Sequence, residues 1–243
     1  MPLPFRMYSD LAVWWPLLSP PSAYAEEAAF LLPSILAAPD APPATLLELG
    51  SGGGSFASHL KPHMRLTLSD LSPGMLDVSR AINPECEHVE GDMRTLDLTR
   101  TFDVVLIHDA IMYATTPADA QAALATASRH CRLGGAIVLI LECVAETFEP
   151  DANTGACVAS DGREVRYRES KRDPDRSDDT YETVYDFVMR QPDGSEEVVQ
   201  EVHLSGLFPK ASWLAWIAGA GFDAASTLDP WGRDVFVGRK GVG

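Results

Sequence analysis

The segment Leu46-Leu-Glu-Leu-Gly-Ser-Gly-Gly-Gly-Ser constrains this chain more than any other. Its short apolar run predicts a strand, and Gly50, Gly52 and Gly54 then let the backbone turn sharply and come close to a ligand before a helix begins. An ordinary tight strand-to-helix turn would use the same glycines. The surrounding pattern narrows the choice. Thr45–Leu49, Leu66–Ser69, His88–Glu90, Phe102–His108 and Ala136–Glu142 read as strands. Ser55–Lys61, Pro73–Ile82 and Pro117–Cys131 read as helices, the last stopped by Leu133-Gly134-Gly135. This alternation predicts a parallel sheet with helices on both faces.

Residues 1–40 read as a helical entry segment that breaks at Pro39, Pro42 and Pro43. Between residues 149 and 206 the pattern changes to charged, period-two segments, and the turn Gln191-Pro-Asp-Gly-Ser separates two of them, so an antiparallel β insertion is expected. Lys171–Asp179, a charged run holding Pro174, reads as a solvated loop. A helix over 209–219 and strands at Phe222–Leu228 and Asp234–Arg239 close the chain. With 243 residues and 46% hydrophobic content, one domain is expected.

Two acids follow the glycines at strand ends. Asp70 lies 20 residues after Gly50, the separation at which an acid on the second strand meets ribose hydroxyls. Asp92, in Glu90-Gly-Asp-Met-Arg, ends the next strand and could accept from an adenine amine while Met93 covers the ring. Glu48 places negative charge beside the loop, which suits a sulfonium and an ammonium group better than a pyrophosphate. A dinucleotide fingerprint would need glycine where Ser55 stands.

Together these residues resemble class I S-adenosylmethionine-dependent methyltransferases, whose first motif, acid-x-Gly-x-Gly-x-Gly, is matched by Glu48, Gly50, Gly52 and Gly54. Asp70-Leu-Ser-Pro-Gly-Met75 resembles the ribose segment, Gly91-Asp92-Met93 the adenine segment, and Phe102–Asp109 the fourth-strand segment. The resemblance implies a Rossmann-like α/β fold, a seven-stranded doubly wound sheet with the antiparallel insertion as a lid. It also implies S-adenosylmethionine as cofactor, held by Glu48, Gly50, Ser51, Gly52, Gly54, Asp70, Leu71, Met75, Gly91, Asp92, Met93 and His108. The opening Tyr8-x-x-Leu-Ala-x-Trp-Trp and Glu201-Val-His203-Leu-x-Gly-Leu-Phe208 are similar to small-molecule N-methyltransferases, including those that dimethylate amino sugars. By the same likeness Tyr8, Trp15 and Tyr24 would cover the cofactor; core packing of an amphipathic segment is the plain alternative.

Methyl transfer is an in-line displacement that needs orientation and dryness more than covalent help. A base is required only for a protonated amine or a hydroxyl acceptor. His203 and His108 are the candidates, with Asp109, Tyr113 and His203 toward the acceptor; either histidine could instead simply line the pocket. Trp213 and Trp216 read as core. The expected partner is a small-molecule acceptor, methylated at nitrogen rather than oxygen, and a homodimer is left open. A net charge of −16 argues against nucleic acid and anionic membranes. Four cysteines without metal spacing, and no secretory or membrane-spanning run, point to the cytoplasm. An NAD(P)-dependent oxidoreductase and a non-catalytic S-adenosylmethionine-binding protein are the competing readings.

Overall fold

The computed structural model describes residues 5–241. Short 3₁₀ turns and α1 (Trp15–Leu18) lead into α2 (Ala25–Ala37). The central run follows as β1 (Thr45–Leu49), α3 (Ala57–Leu60), β2 (Arg65–Asp70), α4 (Pro73–Ile82), β3 (Glu87–Glu90), β4 (Phe102–His108), α5 (Pro117–His130) and β5 (Cys131–Leu141). The insertion comprises β6 (Asp151–Val158), β7 (Glu164–Arg172), β8 (Thr180–Arg190) and β9 (Glu196–Gly206), before α6 (Lys210–Gly219), β10 (Phe222–Leu228) and β11 (Asp234–Lys240).

One seven-stranded sheet has the order β10-β11-β5-β4-β1-β2-β3. The first five strands pair parallel, as the alternation predicts, while β11 is antiparallel to both neighbours, which makes the sheet mixed. Alternate residues along each central strand enter different cores. Leu47, Leu49, Val105, Ile107, Ile137 and Leu139 pack beneath α5 and α6, while Leu46, Leu66, Leu68, Val104, Leu106 and Val138 pack beneath α2 and α3. Both faces are covered, so β4 from Val104 to Ile107 is fully buried. Strand order reverses between β1 and β4, and it is outside the carboxyl ends of such strands that a crevice opens.

The entry segment is a series of short 3₁₀ turns and α1, followed by the longer α2. Three local expectations are corrected. The helix expected over 55–61 shrinks to α3, since the positive-φ glycines keep the chain in turns as far as Phe56. Leu133-Gly134-Gly135 is no helix stop: α5 ends at His130, and these residues lie in the irregular start of β5, whose pairing with β4 shifts register after Phe102. Lys171 and Arg172 belong to β7, and the loop is confined to 173–179.

The second sheet, order β6-β7-β8-β9, is antiparallel throughout. Its β8–β9 turn is closed by Gln191 N–H donating to the Ser195 carbonyl at 2.8 Å, with Gly194 at φ 87°. The inner face carries Val165, Phe187, Met189 and Val199, which pack on Met7, Leu11 and Trp14 of the N-terminal segment. That segment is therefore clamped between the two sheets. Trp213 is 1% exposed and packs edge-on to Phe208 and Trp216, a core role.

Candidate active site

A cavity of about 810 Å³ runs from the strand ends of the large sheet to the inner face of the small one. Its donor end is mostly main chain. Gly50, Gly52 and Gly54 all have positive φ (75°, 53° and 73°), and a side chain at 50 would collide with Ala110. The amides of Gly50 and Ser51 both donate to the Ser69 carbonyl, at 2.8 and 2.9 Å, and that of Gly54 donates to Ser51. Gly52 N–H donates to Asp70 Oδ2 at 2.8 Å, and Ser72 N–H to Oδ1 at 2.8 Å. Asp70 is thus fixed by the backbone before any ligand arrives. Burial raises its pKa against the backbone hydrogen bonds from Ser72, Gly52 and Leu71.

Beneath the loop Glu48 is 2% exposed, and its Oε2 has no hydrogen-bond partner. Burial pushes its carboxyl up to about 7. The Ser51 and Ser69 hydroxyls are likewise buried and unpartnered. Unpaired buried polar atoms are costly, and Glu48 and Ser51 both line the cavity, which marks where a polar ligand belongs. A buried carboxylate with loop amides already engaged suits a cationic ligand and is wrong for a pyrophosphate, which needs free amides.

Leu71 and Met75 line the same end, and Met93 approaches Gly50. Two expected ligands sit differently from the simplest reading. Gly91 is outside the lining: its amide donates to the Asp70 carbonyl and a side chain there would strike Leu96, so it shapes the chain path. Asp92 is gripped by Arg94 through Nε and Nη2 at 2.7–3.1 Å, which holds it ionised. Of the N-terminal aromatics, Trp15 packs on Gly53 of the loop, and the Tyr24 hydroxyl meets Ser19 Oγ at 2.7 Å. Tyr8 instead points its hydroxyl to Tyr113 Oη, 2.9 Å away, toward the other end.

That other end is built from side chains. Tyr113 Oη lies 2.7 Å from His203 Nδ1, and His203 Nε2 lies 3.0 Å from Glu201 Oε2. A carboxylate can only accept, so Nε2 carries the hydrogen, which leaves Nδ1 to accept from Tyr113. Glu201 Oε1 accepts the Met7 amide at 3.0 Å. Burial alone would raise the Glu201 pKa; the hydrogen bonds from His203 and Met7 outweigh it and hold the group ionised. Phe5 stacks on the His203 ring with centroids 3.7 Å apart. Burial lifts the Tyr113 hydroxyl well above its ordinary value, so it stays protonated.

His108 is placed for a different task. Its Nε2 meets Glu27 Oε1 at 2.6 Å and its ring stacks on Phe56. Burial works against the imidazolium, but Asp109 and Glu27 outweigh it and raise the pKa. With its Nε2 held by Glu27 and its ring buried against Phe56, His108 is poorly placed to take a proton from an acceptor. Asp109 lines the cavity with Oδ1 unpartnered, its backbone at φ 57°. Arg233 ties Glu27 (2.5 Å) to Asp229 (2.7 Å). The sequence reading missed Glu27, Arg233, Phe5, Glu142 and Tyr185 as lining or supporting groups. Glu201 was within reach, since strand periodicity puts it on the same face as His203.

A methyltransferase-domain family model matches residues 46–135. The dTDP-3-amino-3,4,6-trideoxy-alpha-D-glucopyranose N,N-dimethyltransferase of Streptomyces venezuelae is 30% identical over 198 residues, 80% of this chain and 82% of that protein. The chain belongs to this S-adenosylmethionine-dependent methyltransferase family. Its cofactor is S-adenosylmethionine, which fits the buried acid and the glycine cradle. The methyltransferase also resembles S-adenosylmethionine-bound CalS10, an amino pentose methyltransferase from Micromonospora echinaspora, with TM-score 0.78, 27% identity and 99% of each chain covered. DesVI of Streptomyces venezuelae shares the fold at TM-score 0.82 and 24% identity, over 95% of this chain and 96% of that one.

Proposed function

We propose that the methyltransferase N-methylates an amino group on a small amino sugar, with Tyr113, His203 and Glu201 as its proton relay. The observation that carries this reading is the unbroken line from Tyr113 through His203 to Glu201 at 2.7 and 3.0 Å, at the cavity end away from the glycine loop. The names of the Streptomyces venezuelae relative and of CalS10 support an amino-sugar acceptor.

When bound, S-adenosylmethionine supplies an electrophilic methyl group on a sulfonium. Glu48 would face its positive charge, Asp70 its ribose hydroxyls, Asp92 its adenine amine, and Leu71, Met75 and Met93 its rings. Trp15 and Tyr24 would exclude water above it. An acceptor amine arrives protonated and must lose that proton to expose its lone pair. Tyr113 takes it on its oxygen while passing its own hydrogen to His203 Nδ1, and Glu201 balances the imidazolium formed. Tyr8 donates to Tyr113 throughout. The freed lone pair would then be held toward the methyl group of the bound cofactor, and the relay would keep the proton away while the methylated ammonium forms. His203 is 3% exposed beneath Phe5, so it reaches the acceptor through Tyr113.

Four unpaired cysteines support a reducing compartment, the cytoplasm. The Glu27–His108 and Glu201–Met7 bonds support one domain across 1–243, with the N-terminal segment integral to it. An apolar outer face on β9, with Val198, Val202 and Leu204 exposed, supports a homodimer. Incubation with labelled S-adenosylmethionine and a panel of amino sugars tests the activity: label on nitrogen is expected. Tight cofactor binding with no transfer to any amine would favour a non-catalytic binder instead.

A further inference from the structure

The cavity holds a carboxylate that the relay does not use. Glu142 directly follows β5 and lines the cavity, with 36% of its side chain exposed. Two groups of the insertion hold it from behind. Tyr181 on β8, fully buried, donates to Oε2 at 2.8 Å, and Lys171 on β7 pairs with Oε1. Burial lifts the Tyr181 pKa, so that hydroxyl keeps its hydrogen for Glu142. Burial works against the Lys171 charge, but Glu142 outweighs it and raises that pKa, so the pair is ionised.

That clamp decides what Glu142 can do. Its charge is balanced by Lys171, so it offers little to a second cation. Its position is fixed and a carboxylate offers about four lone-pair sites, so it is a ready acceptor for a neutral donor on the cavity side. The strand register sets where that donor would lie. Lys171 pairs with Thr183, and Thr183 with His203, so the three share the inner face of the insertion. Thr183, itself lining the cavity, is two residues from Tyr181 on that face and stands between the Glu142 clamp and His203. Neighbouring strands are about 4.8 Å apart, which puts Lys171 roughly 10 Å from His203, room for one sugar ring between the clamp and the relay.

We propose that Glu142 is a specificity-determining residue: its clamped carboxylate accepts from a free ring hydroxyl of the amino sugar whose amine meets Tyr113, so the enzyme selects acceptors that keep such a hydroxyl over fully deoxygenated rings. This rests on the N-methyltransfer reading. Tyr181 and Lys171 are positioning residues, acting through Glu142 without touching the sugar.

The test compares 3-amino-3,6-dideoxyglucose with 3-amino-2,3,4,6-tetradeoxyglucose, which lacks both ring hydroxyls beside the amine, using the full-length enzyme. Both are supplied as dTDP derivatives, the form named for the Streptomyces venezuelae relative. The hydroxylated sugar is expected to have a kcat/KM at least about tenfold higher, the ratio that one hydrogen bond to a charged group supplies. In Glu142→Gln that ratio should fall to about threefold or less. Should Glu142→Gln fold poorly, Glu142→Leu combined with Lys171→Met removes both charges, leaves neither buried alone, and should lose the preference likewise. Both sugars are read in the same enzyme, so a merely structural loss lowers both rates and leaves the ratio unmoved. A parent ratio near one, or a ratio unmoved in these variants, would overturn the proposal. If neither sugar is methylated while the cofactor binds, the N-methyltransfer reading fails. Calorimetry of the two sugars against enzyme loaded with S-adenosylhomocysteine then decides the hydroxyl site: about tenfold tighter binding of the hydroxylated one upholds it, and equal binding overturns it.

Discussion

The two ends of the cavity are made of different materials. The donor end is backbone: three left-handed glycines and amides bonded to neighbouring strands, nearly all within residues 48 to 93. The acceptor end is side chain on side chain, joining Tyr8 to Tyr113 across 105 positions and Tyr113 to His203 across 90. A backbone cradle tolerates change at most of its side chains but not at its glycines. A side-chain relay fails at any link and can be rebuilt for another acceptor without touching the cradle. Conservative substitutions should therefore separate the two ends, one moving affinity and the other turnover.

The sharpest break is His203→Ala. It should lower kcat by about a hundredfold or more, the low end for losing a general base, while calorimetry finds the cofactor Kd little changed. Equal losses in both would mean that the lid, not the relay, was damaged. Asp70→Ala should do the reverse at the donor end, weakening S-adenosylmethionine by about 1.5–3 kcal/mol, the range for hydrogen bonds to a charged group. Because Asp70 also holds the Gly52 amide, Asp70→Asn should recover part of the loss.

Glu48 sharpens the contrast through pH. Its carboxyl, raised to about 7, is largely protonated below neutrality, and a bound cation favours the ionised form. Affinity for the cofactor should thus rise as pH climbs from 6 to 8, with protons released on binding, and Glu48→Gln should flatten that slope. In the empty protein the sign is opposite. A folded state that holds this proton more tightly than the unfolded chain loses stability as pH rises from 4.5 through about 7, by up to about 3 kcal/mol. Glu48→Gln should accordingly melt later than the parent at pH 8 while binding the donor less well. The smallest effect expected is Glu201→Gln, about tenfold in kcat with an altered pH profile, because it orients His203 without touching the acceptor. An unaltered profile would reduce Glu201 to a clamp for Met7.

The same division explains what could be read in advance. β4 and α4 lie where local patterning places them, at Phe102–His108 and Pro73–Ile82, and so does β10. Asp70 and Asp92 could be placed at strand ends because their spacing follows from the strand-helix-strand pattern. β6 was not: Asp151–Val158 is mostly exposed, so burial imposes no alternation on it. The capture of Asp92 by Arg94 and the Glu27–Arg233 bond, 206 positions apart, depend on tertiary approach that no local pattern encodes. The N-terminal aromatics were legible in kind but not in placement; Tyr8 bonds Tyr113 while Trp15 packs on the loop.

That N-terminal strap has a kinetic consequence. Ser19 accepts from Ser55 at 2.6 Å, Trp15 rests on Gly53, and the Tyr8 carbonyl accepts from Ser72, so residues 8 to 19 are pinned over the glycine loop. If the cofactor exchanges by way of this segment, lifting it would also pull Met7 from Glu201 and Tyr8 from Tyr113. An amine methylated twice by this enzyme would thus be let go after the first round and recaptured for the second, and singly methylated product would build up early in the time course before it declines.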